Sequence, residues 1–334
     1  MTEHKNIRLG VLLHGTASAA SIAPLAASVE AAGFDEFWVS EDYFMLAGFS
    51  SAAIALAATQ KLRIGLGAVA SVARHPAATA MEAATLATAF PGRFDLAIGH
   101  GASVWMRQMG VLPKSPLTSM RECVTGIKAL LAGKTLDTEG QYFTFGAISL
   151  THKAPEQKVL TAVVGPKSID LTGEIGDGLV ISVLAGPRYV AAARARLTEA
   201  ANAVGRSEAL TLPTYVLAAL DEDAATARAA IKPMLAFYLA IMGPTDLTGC
   251  YGINDQLADM IARGGADVIE REMPDEWLEW LGVWGTPDHC VAQIRALHEA
   301  GATSVVLVLV AHDNEAISAQ IDLCARSILP ALAK

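Results

Sequence analysis

Two acidic residues and two histidines stand where apolar runs of the chain end, and their side chains are suited to moving a proton. Glu41 and Asp42 follow the second apolar run, whereas His14 and His100 follow the first and the fourth. A carboxyl or an imidazole beside a reacting carbon can hold a proton for a substrate. We therefore predict Glu41, Asp42 and His14 as catalytic residues. Helix capping or a salt bridge is the alternative role for the two acids.

A second group of residues has the chemistry of a phosphate site. An apolar run ends at Val164, and Gly165, Pro166, Lys167 and Ser168 then open a predicted helix. Free amides at a helix N-terminus favour phosphate, and the lysine adds positive charge. A helix start capped by Ser168 is the alternative, and the two roles are compatible.

Composition and spacing exclude several classes of function. The chain has 334 residues, 52% of them hydrophobic and 18% charged, and its formal net charge of −9 includes no basic block. We therefore expect neither a nucleic acid nor a membrane as a partner. The four cysteines form no CxxC pair and the histidines form no HxH or HExxH pattern, so we predict no metal site. The N-terminus lacks the apolar core of a signal peptide, and we predict a cytoplasmic protein.

Strands and helices alternate along the chain. Eight apolar, strand-like runs lie at 8–13, 36–40, 63–69, 94–98, 159–164, 179–183, 212–220 and 304–310. Helical patterns separate them, and a last helix is predicted over 314–332, after His312. This alternation predicts an α/β fold with parallel strands, and eight units predict a (β/α)8 TIM barrel with its site at the C-terminal mouth. An open doubly wound sheet is the alternative, but LLHGTAS follows the first strand where GxGxxG would be expected.

Two segments interrupt this alternation within a single predicted domain, 1–334. Residues 133–158 predict a β-hairpin inserted in the fourth crossover. Residues 243–285 form a longer insertion between the seventh and eighth strands, and they carry Trp277, Trp280 and Trp284. This insertion is predicted to be a lid over the mouth or a dimer and packing element.

Four segments, in this order and spacing, resemble a known family. They are GFDEFWVSED from Gly33, RHP from Arg74 with the helix that follows, GRFDLAIGHG from Gly92, and VGPK from Val164 continuing to GDG at Gly176. Together they resemble the luciferase-like flavin or deazaflavin oxidoreductases. Within these, the chain looks most similar to the group that includes methylenetetrahydromethanopterin reductase, which uses coenzyme F420.

The resemblance implies a TIM barrel, usually a homodimer, whose cofactor ring lies at the mouth. It also implies a non-proline cis peptide at the end of the third strand, at Ala68-Val69. The cofactor contacts that the motifs imply are Ala68, Val69, Gly99, His100, Gly101, Val164, Gly165, Pro166, Lys167 and Ser182.

We therefore expect an oxidoreductase that transfers hydride between F420 and an unidentified small-molecule substrate, with a pterin-like molecule as one candidate. The alternative cofactor is FMN, which would make the protein a luciferase-like monooxygenase. A barrel that binds a flavin-like ligand without catalysis is the second alternative.

Overall fold

Eight parallel strands close into a barrel in the computed structural model, which describes residues 7–310 and 314–333. The strands are β1 (Arg8–Leu13), β2 (Glu36–Val39), β3 (Arg63–Ala70), β4 (Phe94–Gly99), β5 (Leu136–Glu139), β6 (Thr144–Ile148), β7 (Val159–Ala162), β8 (Leu179–Val180), β9 (Pro213–Leu220), β10 (Gly282–Gly285) and β11 (Ser304–Leu309). Around the barrel the order is β1, β2, β3, β4, β7, β8, β9 and β11. Two isolated bridges between β8 and β9 close the ring, Gly178 with Thr211 and Ile181 with Thr214. The predicted TIM barrel and its eight strands are confirmed.

Helices follow most strands and cover the outside of the barrel. They are α1 (Ile22–Ala31), α2 (Gly48–Ala58), α3 (Pro76–Ala89), α4 (Ser103–Gln108), α5 (Pro116–Leu131), α6 (Pro166–Ile175), α7 (Pro187–Ala203), α8 (Ala224–Met242), α9 (Asp246–Gly249), α10 (Asn254–Gly264), α11 (Ala266–Glu272), α12 (Asp275–Leu281), α13 (Pro287–Glu299), α14 (Asn314–Leu323) and α15 (Leu329–Leu332). The last predicted helix is interrupted by a π-helical segment, Cys324–Ile328. His312 lies outside the described residues.

The barrel interior is filled by two aromatic side chains that meet across it. The rings of Trp38, on β2, and Tyr215, on β9, are 5.5 Å apart in an edge-to-face arrangement. Glycines on β3 make room for them. A Cβ atom on Gly65 would lie 2.1 Å from the Trp38 ring, and one on Gly67 would lie 2.3 Å from the Tyr215 hydroxyl. The interior is therefore a packed core, and ligands are restricted to the mouth.

Charged side chains cross-link the other end of the strands. Arg8 pairs with Glu36 at 3.1 Å, and Arg63 pairs with Asp95 at 2.8 Å. Burial raises the pKa of Glu36, although Arg8 and two hydrogen-bond donors oppose this effect. These four residues lie at the first or second position of four consecutive barrel strands, so the ion pairs stabilise the end opposite the mouth.

The predicted β-hairpin is present, because β5 pairs antiparallel with β6. The 243–285 insertion contains α9 to α12 and ends in β10, a short strand that pairs parallel with β9 and that the sequence did not predict. Helix α8, which precedes the insertion, does not return along the outside of the barrel. It starts beyond β9, and its Tyr238 hydroxyl reaches within 3.4 Å of His14 at the end of β1. The segment from α8 to α9 thus crosses the mouth.

One helix of the described residues, α8, is long and apolar enough to cross a membrane by length and composition alone. The helix packs on β9, β10 and α11 and carries Arg228 and Lys232. A helix that covers a barrel passes the same test, so the cytoplasmic location stays a prediction.

The packing at Gly65 makes a testable prediction. Gly65→Ala places a methyl group against the Trp38 ring, and we expect the free energy of unfolding to fall by about 1–3 kcal/mol, as overpacking does. Gly146→Ala is the matched control, because its Cβ would meet nothing within 4 Å, and we expect a change within about 0.5 kcal/mol. Urea unfolding of both variants measures the difference. Equal stabilities would contradict the tight packing.

Candidate active site

Glu41 lies at the mouth, as predicted, but its carboxylate is fully engaged. Both of its oxygens are 2.9 Å from an Arg74 nitrogen, the Gly48 amide donates to Oε2 at 3.0 Å, and the Tyr43 hydroxyl donates to Oε1 at 3.3 Å. Burial lowers the pKa of Arg74, but Glu41 and Glu82 more than offset this, so the pKa is raised overall. Glu41 therefore joins the loops after β2 and β3.

Asp42, its neighbour, faces the opening. Its Oδ2 accepts a hydrogen bond from Ser40 at 2.9 Å, and in the described part of the chain no lysine or arginine pairs with it. A Cβ atom on Gly15 would lie 2.9 Å from the same oxygen, so the loop after β1 passes close to the carboxylate. Asp42 is thus a partly buried acid placed among mouth residues without a neutralising cation.

His14 and Tyr238 lie beside this acid. His14 Nδ1 lies 2.7 Å from the Thr16 hydroxyl and 3.3 Å from the Thr16 amide, and its Nε2 lies 3.4 Å from the Tyr238 hydroxyl. Burial and then the charge of Asp42 raise the pKa of Tyr238. Tyr238 was not among the predicted site residues. Its helix was recognised in the sequence, but no local signal shows that the helix turns across the mouth.

Small residues form the floor of the mouth. The observed cis peptide is Gly67-Ala68, one residue earlier than predicted, at a shift in the register between β3 and β4. A Cβ atom on Gly99 would lie 3.2 Å from the Ala68 Cβ, and one on Gly101 would lie 2.8 Å from the Ala70 Cβ. Close packing of these strand ends therefore requires glycine at positions 99 and 101.

Val69 is less exposed than its neighbour Ala68, which is half-buried. It pairs with Ile98 in the ladder, and its side chain is buried. Its predicted cofactor contact is therefore limited to the backbone, because the neighbouring Ala68 presents the side-chain surface.

His100 stands at the edge of this floor. Its Nε2 lies 3.0 Å from the Ser168 hydroxyl, while its buried Nδ1 has no partner among the described residues. Burial lowers the pKa of His100, which favours the neutral ring. A buried ring nitrogen without a partner is costly, and a bound polar ligand would satisfy it. This atom fits the predicted contact with a cofactor.

The predicted phosphate loop opens α6. Gly165 is its N-cap and Pro166 its first residue, and in this described segment no side chain caps the first turn. Lys167 is exposed beside it. The Val164 carbonyl accepts a hydrogen bond from Tyr189 at 2.6 Å, and Ser182 follows β8 at the same end of the barrel. The helix N-terminus is therefore open to an anion.

Arg188 adds a cation that the sequence analysis missed. Its guanidinium lies 5.3 Å from the Tyr251 ring and 5.9 Å from the Trp280 ring, which stack on each other. A Cβ atom on Gly186 would lie 1.9 Å from the Trp280 carbonyl oxygen, so the insertion packs directly on the start of α7. The Gly186-Pro187 helix start could have drawn attention to Arg188 in the sequence. The aromatic partners of Arg188, however, lie some 60 to 90 residues further along the chain.

The described residues contain no group of three or more His, Cys, Asp or Glu side chains that would hold a metal ion. The four cysteines are free thiols. The site is therefore composed of acid, imidazole, phenol and backbone groups.

Comparisons with known proteins agree with this geometry. A family model described as luciferase-like monooxygenase matches residues 6–304. A 5,10-methylenetetrahydromethanopterin reductase from Methanolobus tindarius is 28% identical and covers 85% of this chain and 89% of its own. An F420-dependent glucose-6-phosphate dehydrogenase from Beutenbergia cavernae is 30% identical and covers 91% and 90%.

The structure of the coenzyme F420-dependent tetrahydromethanopterin reductase from Methanopyrus kandleri superposes with a TM-score of 0.85. It is 24% identical and covers 98% of this chain and 100% of its own. At this identity the likeness establishes the fold, and it agrees with the barrel described above.

Removing two different tyrosine hydroxyls is expected to change the free energy of unfolding in opposite directions. Tyr215 carries a buried hydroxyl without a partner among the described residues, whereas the Tyr189 hydroxyl is bonded to Val164. We expect Tyr215→Phe to raise the free energy of unfolding of the unliganded protein by about 1 kcal/mol, and Tyr189→Phe to lower it by about as much. Chemical denaturation measures both. A loss of stability in Tyr215→Phe equal to that in Tyr189→Phe would mean that an ordered water satisfies the hydroxyl.

His100 predicts a pH dependence of stability. Its folded pKa lies below that of the unfolded chain, about 6.5, so the unfolded state binds more protons between the two values. This contribution to stability is present above pH 6.5 and decreases as the pH falls towards the folded pKa. We expect His100→Gln to flatten this part of the stability profile. His152→Gln, at an exposed histidine, is the control and keeps the wild-type slope; parallel curves for wild type and His100→Gln would refute the assignment.

Proposed function

The chain belongs to the luciferase-like monooxygenase family of enzymes, and we propose that it transfers hydride between coenzyme F420 and an organic substrate at the barrel mouth. The observation that carries this proposal is the small-residue floor at Ala68, Gly99 and Gly101 beside the unpartnered His100 Nδ1. A bound deazaflavin supplies the carbon that donates or accepts the hydride. The protein supplies orientation, shielding from water and a proton.

Asp42 is the proposed proton-holding group, with His14 beside it. Among the described residues no lysine or arginine pairs with Asp42, and His14 Nε2 lies 3.4 Å from the Tyr238 hydroxyl beside it. Glu41 is better suited to positioning, because its oxygens are bound by Arg74 and the Gly48 amide. The ion pair fixes the loop that carries Asp42, which a proton donor requires.

The anionic tail of the cofactor is proposed to lie along the other half of the mouth. The uncapped start of α6 offers amides, and Lys167, Arg107 and Arg188 are exposed cations that form no ion pair within the described ranges. The N-terminus of a helix carries partial positive charge, and this favours the binding of a phosphate. The segment from α8 to α9 covers the mouth and is proposed to exclude water from the reacting atoms.

A homodimer is a further part of the proposal, and sedimentation analysis of the purified protein tests it directly. The names of the methylenetetrahydromethanopterin reductases make a pterin-like molecule one candidate substrate. The substrate class is argued separately below from the residues that line the mouth.

The cofactor proposal is tested by titrating the purified protein with oxidised F420 and, separately, with FMN, followed by fluorescence. We expect F420 to bind preferentially. Lys167→Ala should weaken its binding about two- to five-fold, the effect of one exposed charge, and less so at high salt. Lys134→Ala, at an exposed lysine after α5, is the control.

Preferential binding of FMN would replace this proposal with the monooxygenase alternative, and binding of neither would favour the non-catalytic one. With F420 bound and a substrate found, Asp42→Asn should lower kcat at least about 100-fold while leaving F420 affinity within about two-fold, as loss of a general acid does.

A further inference from the structure

Exposed apolar side chains surround the acid of the site. Phe44 and Met45 follow Asp42 and are 69% and 48% exposed, while Phe237 and Ile241 on α8 are 48% and 66% exposed. We name these four residues the apolar rim. Single exposed apolar residues are ordinary on a protein surface, but a cluster of them beside an active site marks a binding surface.

The four side chains belong to one surface. A Cβ atom on Gly15 would lie 3.3 Å from the Met45 sulfur, so Met45 touches the loop that carries His14. His14 contacts Tyr238, whose ring is 5.7 Å from the Phe237 ring. Ile241 lies one helical turn further along α8, on the same face as Phe237. These contacts link the β2 loop that carries Met45 to the part of α8 that carries Phe237.

The charge around the rim is negative. Asp42 accepts a hydrogen bond from Ser40, and Arg74, which follows β3, is held by Glu41 and Glu82. The exposed cations Arg107, Lys167 and Arg188 lie in α4, α6 and α7, the helices that follow β4, β7 and β8. A carboxylate or phosphate on the substrate would thus lie beside the negative charge of Asp42, and among the described rim residues it would find no cation to pair with. This disfavours anionic substrates.

From this arrangement we propose that the enzyme takes a largely apolar substrate that carries no carboxylate or phosphate. Its hydrocarbon part lies on the apolar rim, and its one polar group faces Asp42, His14 and Tyr238. Tyr238 is a positioning residue of this surface, because α8 brings it to His14 and presents Phe237 next to it. This inference rests on the proposed function for the location of the site, and it narrows the substrate class.

The test compares two ketones that differ by one charge, acetophenone and 4-acetylbenzoate. Their binding to the full-length protein, with and without saturating F420, is measured by saturation-transfer NMR titration. We expect acetophenone to bind at least about ten-fold more tightly, a difference of about 1.4 kcal/mol. Phe237→Arg introduces a cation into the rim and should reduce this preference to less than about three-fold by improving the binding of the anion.

Val204→Arg is the matched control. Val204 is also an exposed apolar residue, 51% exposed, but it caps the C-terminus of α7, the end away from the mouth. We expect this variant to keep the wild-type preference. Tighter or equal binding of 4-acetylbenzoate by the wild type would overturn the proposal, and so would a preference that Val204→Arg changes as much as Phe237→Arg.

Three further outcomes are informative. If Phe237→Arg converts a dimer into monomers in sedimentation and leaves the ketone preference unchanged, the rim is a subunit contact and the proposal is wrong. If F420 fails to bind but the ketone preference holds, the proposed function fails and the apolar surface stands. If F420 binds and the preference is reversed, the substrate inference alone fails.

Discussion

The glycines of β3 allow two aromatic rings to fill the barrel, and the geometry of the mouth depends on this packing. Trp38 occupies the space where a Gly65 side chain would lie, and the Tyr215 hydroxyl occupies that of Gly67. The strand then continues through the cis peptide Gly67-Ala68 to the floor of the site. The rings support the floor from below, because a packed interior resists displacement far more than an open one. A ligand on the floor thus rests on a core that is already filled.

Adjacent acids at the end of β2 have different surroundings. The carboxylate of Glu41 is buried and bound by Arg74, a backbone amide and Tyr43, whereas Asp42 is partly exposed and bonded to Ser40. Successive side chains leaving a strand point in opposite directions, so one acid enters the packing between loops and the other faces the opening. The buried pair holds the loop in place, whereas the carboxylate of Asp42 stays accessible at the opening. The proposed division of roles, with Glu41 positioning and Asp42 holding a proton, rests on this difference.

The helix after β9 changes what the mouth can recognise. Because α8 crosses the opening, it brings Tyr238 to His14 and adds Phe237 to a surface begun by Phe44. On the other side, the stack of Tyr251 and Trp280 on Arg188 fixes the insertion to α7. The mouth therefore has a cationic half near α6 and α7 and an apolar, acidic half near β1 and β2. This asymmetry is the physical basis of the two proposals, which place an anionic cofactor tail on one half and a substrate without negative charge on the other.

The alternation of apolar runs and helices was sufficient to predict the eight barrel strands, the hairpin and the strand ends that carry His14, Asp42 and His100, since these depend on local periodicity and chain order. The family resemblance supplied the cis peptide, displaced by one residue, because a bulge changes the register without a local signal. Only the tertiary structure decided that Glu41 is bound by Arg74, that Tyr238 lies beside His14 and that Arg188 packs on Tyr251 and Trp280. Those assignments depend on contacts between residues distant in the chain, and no local pattern records which strand end a crossing helix will meet.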